Sequence, residues 1–231
     1  MKNKWIGIGL LVALALPAFA QKKEEERVEN AGTVMKEILN APDSIPQSAL
    51  DKAYCVAVLP SVKKFAIGIG GSYGKGVMTC RGGKDFNGKW GAPTMMALEG
   101  GSVGLQLGGE ATDFVLLLMT SNSASSILAS KVKLGADASA AAGPVGRTAS
   151  AETDVTMSAE VLTYSRAKGL FGGVSLEGST LRPDNDANKD LYGKKIEAKA
   201  IVLEGTVTAP PSAASLISTL EKASPVHKAK A

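Results

Sequence analysis

Two serines stand in the Gly-x-Ser-x-Gly setting of a nucleophile: Ser72 in Gly70-Gly71-Ser72-Tyr73-Gly74 and Ser102 in Gly100-Gly101-Ser102-Val103-Gly104. Acyl transfer from such a turn needs a helix directly after the serine, then an acid and a histidine further along. Neither serine is followed by a helical pattern, and the one histidine, His227, lies close to the chain end. Phosphate cradling fares no better. Before Gly74-Lys75 a P-loop requires glycine where Ile69 stands and Ser or Thr where Gly76 stands. A dinucleotide fingerprint opening at Gly68-Ile69-Gly70 meets Tyr73 where its third glycine belongs. Asp184-Asn185-Asp186-Ala187-Asn188 opens like a calcium loop, but Lys189 replaces the turn glycine and Lys195 the bidentate glutamate. Helix capping is the commoner use of such aspartates. With no interior histidine and no clear acid pair, nothing reads as a general base. The chain is expected to be non-enzymatic, with no catalytic residue, cofactor or metal site.

What remains is charge. Over Ser61–Lys89 six basic residues (Lys63, Lys64, Lys75, Arg81, Lys84 and Lys89) face one acid, Asp85. Elsewhere the balance is flat or acidic: Gly91–Glu160 has three basic residues against seven acids. A basic rim on a glycine-rich sheet suits an anionic surface, where each lysine near a membrane is worth ~1 kcal/mol. The competing reading is that these are ordinary solvated strand-end residues. The whole chain carries a formal charge of only +4, too little for a dedicated nucleic-acid binder.

Cys55 and Cys80 bracket the same stretch. If the chain is exported, they are expected to pair, closing a loop of about 24 residues worth ~3 kcal/mol. The alternative is two buried thiols acting as small hydrophobes. Two cysteines without nearby histidines cannot complete a tetrahedral metal set.

Export is indicated by the first twenty residues. Lys2 and Lys4 form a positive start, Ile6–Leu16 an apolar run, and Ala18-Phe19-Ala20 a small-x-small cleavage pattern. Eleven apolar residues are short for the other reading, a retained membrane anchor. Gln21 follows the cut, so no cysteine is there to carry a lipid. A periplasmic location is expected, with no transmembrane helix in the mature chain.

The elements that would position the rim follow from periodicity. Glu24–Asn40 reads as a helix with Val28, Ala31, Met35, Ile38 and Leu39 on one face, and a second starts at Ser44 in a capping-box setting. Tyr54–Leu59, Phe65–Gly71 and Gly76–Arg81 read as three strands, with breaks at Pro60 and Ser72–Gly74. Pro93–Glu99, Ser102–Gly108, Asp113–Thr120, Val155–Ser165 and Gly169–Thr180 read as further strands. Ser121–Ser130, Asp186–Tyr192 and Ser212–Ala223 read as short helices, and the end after Ala223 as frayed. The fold class is α+β: a glycine-rich, mainly antiparallel sheet with N-terminal and edge helices.

Several stretches, in order, resemble the SYLF domain: Cys55–Pro60, Gly70–Gly76, Gly100–Gly104, Gly169–Gly178, and Leu181–Asp184 through Tyr192-Gly193. The likeness covers about Ala53–Leu203. It implies a lipid-binding module; eukaryotic members bind phosphoinositides, some also actin, and an amphipathic N-terminal helix contributes to membrane contact. The expected organisation is a signal peptide over 1–20, an N-terminal helical segment over 21–52, a SYLF-like lipid-binding domain over 53–205, and a proline-containing tail with a short helix over 206–231. The expected function is lipid binding at the cell envelope, with the rim against anionic, phosphoinositide-like headgroups. The alternative is a structural or protein-interaction module of the periplasm, docking an envelope protein.

Overall fold

A computed structural model of the chain describes residues 6–67, 69–83, 85–103, 110–146, 158–167 and 170–228. Among them, nine strands form one sheet: β1 (Cys55–Ile67), β2 (Ile69–Cys80), β3 (Thr94–Val103), β4 (Glu110–Leu118), β5 (Val132–Lys133), β6 (Ala140–Ala142), β7 (Val161–Ala167), β8 (Leu170–Gly173) and β9 (Thr180–Pro183). Their order is β5-β9-β3-β2-β1-β4-β7-β6, with β8 also on β7. Only β6 and β7 run parallel. Helices lying within the described residues include α1 (Ile6–Asn40), α2 (Gln47–Lys52), α3 (Ser121–Ala129), α4 (Asn185–Tyr192), α5 (Ala198–Val202) and α6 (Ala214–Ala223), the last entered through a 3-10 turn at Pro211–Ala213. This is the α+β class expected from the sequence.

The sheet is covered on both faces, so its central strands are apolar on both sides. Cys55, Ala57 and Leu59 of β1 pack with Ala124, Ile127 and Leu128 of α3 and with Ile201 of α5. Val56 and Val58 point the other way, under Val28, Ala31, Met35 and Ile38 of α1, Leu50 of α2, Leu191 of α4 and Leu216 of α6. Phe114–Leu118 of β4 is buried at every residue. Its unbroken apolar run reflects that double cover.

The expected three strands before Arg81 are two long ones. Pro60 does not end β1; it sits in a bulge, where the six residues from Val58 to Lys63 face the five from Val77 to Tyr73. Ser61 takes a positive φ of 52° and donates its N–H to Asp113 Oδ1 at 2.8 Å. A bulge tolerates proline because the extra residue leaves the ladder there. Ser72–Gly74 is likewise no turn, since it pairs with β1 on one side and β3 on the other. The glycines there admit the bulged neighbour. A Cβ on Gly74 would stand 2.4 Å from Val62 Cγ2, and one on Gly76 2.1 Å from the Val58 carbonyl oxygen.

Other boundaries move as well. α1 runs unbroken from Ile6 through the expected cleavage point. α2 starts after Pro46 rather than at Ser44, and α3 is capped by Thr120, whose hydroxyl accepts from Ser123 N–H at 3.1 Å. β3 continues through Gly100-Gly101, while residues 104–109, where a further strand was expected, lie outside the described residues. No helix of the described residues is long and apolar enough to cross a membrane.

Candidate functional site

Strand register decides which of the expected site residues meet. Lys63 of β1 lies opposite Tyr73 of β2, which lies opposite Glu99 of β3. Residues paired across strands share a face, and so do positions two apart. Lys75 therefore falls on the same face as Tyr73, in line with Ala97 and Arg182. Both Lys63 and Tyr73 are exposed, the tyrosine by 46%. Among the described residues Lys63 has no ion-pair partner.

Its neighbours are paired. Lys75 Nζ lies 2.5 Å from Asp184 Oδ2. Arg182 places Nε and Nη2 on Glu99 Oε1, at 3.0 and 2.6 Å. On α1, Arg27 pairs with Glu24 one turn away. Asp184 also caps α4, accepting from Ala187 N–H at 3.2 Å. Burial alone would raise its carboxyl, but Lys75 and the Ala187 amide hold it below the usual carboxylate range. The Tyr73 phenol lies within electrostatic reach of both Arg27 and Arg182. Tyr73 thus stands among four cations: Arg27, Lys75 and Arg182 are each paired with a carboxylate, and Lys63 has no ion-pair partner among the described residues.

The six-residue rim does not assemble. Lys64 is placed by its backbone opposite Ser72, and its side chain lies outside the described residues, as does Lys84. Lys89 is exposed in the loop beyond β2, at the other end of that strand. Eight residues separate the level of Tyr73 from Arg81, roughly 26 Å along the strand.

Arg81 is a correction in kind. It is fully buried, and its guanidinium donates to Ala53 O, Ser224 O and Ser224 Oγ at 3.3, 3.1 and 2.7 Å. It also lies 4.4 Å over the ring of Trp90. No headgroup reaches it there. Burial pulls its pKa down, while Asp51 and Glu221 pull it up. A charge count along the chain carries no depth, so this arginine looked like its exposed neighbours. Arg27, Tyr73, Glu99, Arg182 and Asp184 were missed as site residues because only strand pairing brings them together. The alternation around Tyr73 and Lys75 was the one signal that they share a face.

Cys55 and Cys80, directly opposite in β1 and β2, are joined with an Sγ–Sγ distance of 2.01 Å. Ser72 lies within β2 and no helix follows it, so the geometry of a nucleophile elbow is missing. Ser102 ends one residue short of the limit of β3, and its side chain lies outside the described residues.

Comparison with known proteins adds a lineage. The sequence pattern of the Ysc84 family, described as "Las17-binding protein actin regulator", matches residues 99–223. "LAS seventeen-binding protein 3" of Saccharomyces cerevisiae is 36% identical over 188 residues, covering 80% of this chain and 40% of its own. "Protein YSC84" of the same yeast is 34% identical over 205 residues, 87% of this chain and 43% of its own. "SH3 domain-containing YSC84-like protein 1" of Bos taurus is 33% identical over 190 residues, 79% of this chain and 52% of its own. The chain spans about two fifths of the length of the yeast relatives.

Proposed function

The chain belongs to the Ysc84 family of SYLF-domain proteins, and from that premise we propose that it is a non-enzymatic binding module whose ligand is an anionic phospholipid surface. One observation carries this reading: exposed Lys63, which has no ion-pair partner among the described residues, stands directly across from exposed Tyr73. An amphipathic ring beside a lysine suits a membrane interface, where one end of each side chain is apolar and the other wet. The surface involved is the Lys63 end of the β1–β2 pair, with Lys64 beside it in sequence; Lys89 belongs to a different end and Arg81 to the interior.

The site of action proposed is the cell envelope, most simply the periplasm. Support comes from the leader-like first twenty residues and from the Cys55–Cys80 disulfide, which an oxidising compartment maintains. The test is co-sedimentation with vesicles at low and high salt. Salt-sensitive binding to anionic but not zwitterionic vesicles supports the reading, because exposed ionic contacts are screened.

A second reading is a protein-interaction module. It is favoured by the relatives, which are named for binding Las17 or for carrying an SH3 domain. Failure to bind either kind of vesicle favours it.

A further inference from the structure

The sequence marks residues after Ala223 as a loose end, but as far as Lys228 they are tied down. Ser224 is fully buried; its hydroxyl donates to Asp51 Oδ1 at 2.7 Å and accepts from Arg81 at the same distance. Its carbonyl accepts from Arg81 at 3.1 Å and from Trp90 Nε1 at 3.0 Å. Lys228 donates its N–H to Asp51 O at 2.8 Å and sets Nζ 2.9 Å from Asp51 Oδ2. Between them His227 lies edge-on to Tyr54, ring centres 4.4 Å apart, and Tyr54 in turn meets Phe86 at 5.7 Å. The whole segment crosses the start of β1 and the end of β2 as a strap.

One group in this strap changes charge near neutrality. His227 Nε2 lies 3.2 Å from the Lys52 carbonyl, so the neutral ring donates there; Nδ1 is buried and makes no hydrogen bond in that neutral state, with the Phe86 backbone carbonyl as the acceptor in reach of the charged ring. A second proton would land on that buried nitrogen and place a cation close to the guanidinium of Arg81. We propose that residues 224–228 form an acid-released strap, held shut by neutral His227 and opened when its imidazole is protonated, uncovering Tyr54, Phe86 and Arg81.

The surroundings support that direction. From α2, Asp51 is engaged by Gln47, Ser224 and Lys228, and Lys52 offers its carbonyl. From the ends of β1 and β2 come Tyr54 and cationic Arg81, and from the following loop the Phe86 backbone, beside exposed Asp85 and Lys89. From α6, Glu221 is taken by the Trp90 N–H at 2.8 Å. Burial lowers the imidazole pKa from its ordinary 6.5; the Lys52 and Phe86 carbonyls raise it less than burial and Arg81 lower it. A depressed base stabilises the closed strap fully above pH 6.5, and that contribution is lost as pH falls through the folded value. Asp51 stays ionised over this range, because its partners hold its carboxyl below the ordinary 3.8.

The test uses the full chain carrying Trp5→Phe, which leaves Trp90 as its one indole, with His227 as its one histidine. NMR follows the imidazole from about pH 7.5 to about pH 5, a range in which histidine is the ordinary titrating side chain. In parallel, Trp90 emission reports loss of the Ser224 carbonyl, and carboxypeptidase reports the freed end. The expected result is a midpoint below 6.5, with a red shift of emission and a severalfold faster trimming over the same range, while far-ultraviolet dichroism stays constant. His227→Phe keeps a ring for Tyr54 and has no proton to gain, so its strap stays closed at every pH tested. An imidazole that titrates at or above 6.5, a charged imidazole with emission and trimming unchanged, or a His227→Phe chain that opens like the parent overturns the proposal.

Discussion

Arg81 and Trp90 share one acceptor: guanidinium Nη2 and indole Nε1 both donate to the carbonyl of Ser224, at 3.1 and 3.0 Å. The two side chains also stack, with the guanidinium carbon 4.4 Å from the ring centre. No carboxylate forms a salt bridge with this buried cation among the described residues; carbonyls, a hydroxyl and an aromatic face stabilise it instead. The end of β2, the loop after it and the carboxy-terminal segment are thereby fixed to one another.

Arg81→Ala removes the guanidinium that four oxygen acceptors share, leaving buried carbonyls unsatisfied. A loss of about 3–5 kcal/mol is expected, in the range of a broken buried hydrogen-bond network with several acceptors left unsatisfied. Urea unfolding measures it. Arg81→Lys keeps the charge but not the planar fork, so it rescues only part of the loss.

Gly76→Ala forces a methyl against the Val58 carbonyl oxygen, where the ideal Cβ stands at 2.1 Å. Backbone must move, and a loss of at least ~2 kcal/mol is expected. Gly172→Ala, in β8, meets nothing within 4 Å and serves as the neutral control. Equal melting temperatures for the two variants would contradict the close approach of β1 to β2.

This strand pair also shows what the sequence could and could not reveal. Apolar runs such as Phe114–Leu118 and the periodicity of α1 made the class and the core legible, because burial on a face leaves a period in the chain. Pro60 and the glycines around Ser72 carry the same letters whether they turn the chain or bulge it. Only the partner strand decides, and pairing is a long-range property. For the same reason Arg182 and Asp184, more than a hundred residues from Tyr73, could not be assigned to its surroundings.

Protein produced in an oxidising compartment, then denatured without reduction, is expected to show about no titratable thiol. Reduction should cost ~3 kcal/mol, the chain-entropy value of this loop. Two free thiols in the unreduced protein would contradict the pairing of Cys55 with Cys80.

Asp184 and Asp51 are both held below the ordinary 3.8 by their cationic and hydrogen-bonding partners. A depressed carboxyl contributes stability that is present above pH 3.8 and is lost as pH falls through the folded value. Asp184→Asn retains a side chain that caps α4 but forfeits the attraction to Lys75. Its unfolding midpoint should fall at neutral pH and flatten in acid, relative to the parent chain. An unchanged acid limb would mean that Asp184 takes no part in it.

The central claim is tested most directly by anionic-vesicle binding of two variants that alter opposite ends of the same sheet. Lys63→Glu/Lys64→Glu is expected to weaken binding by at least ~2 kcal/mol, roughly thirtyfold, through loss of two attractive charges. Its melting temperature should change little, since Lys63 is exposed and, among the described residues, unpaired. Lys89→Glu, at the far end of β2, should bind as the parent does. If the double variant binds like the parent, or if Lys89→Glu loses as much, the Lys63–Tyr73 surface is not where this protein meets a membrane.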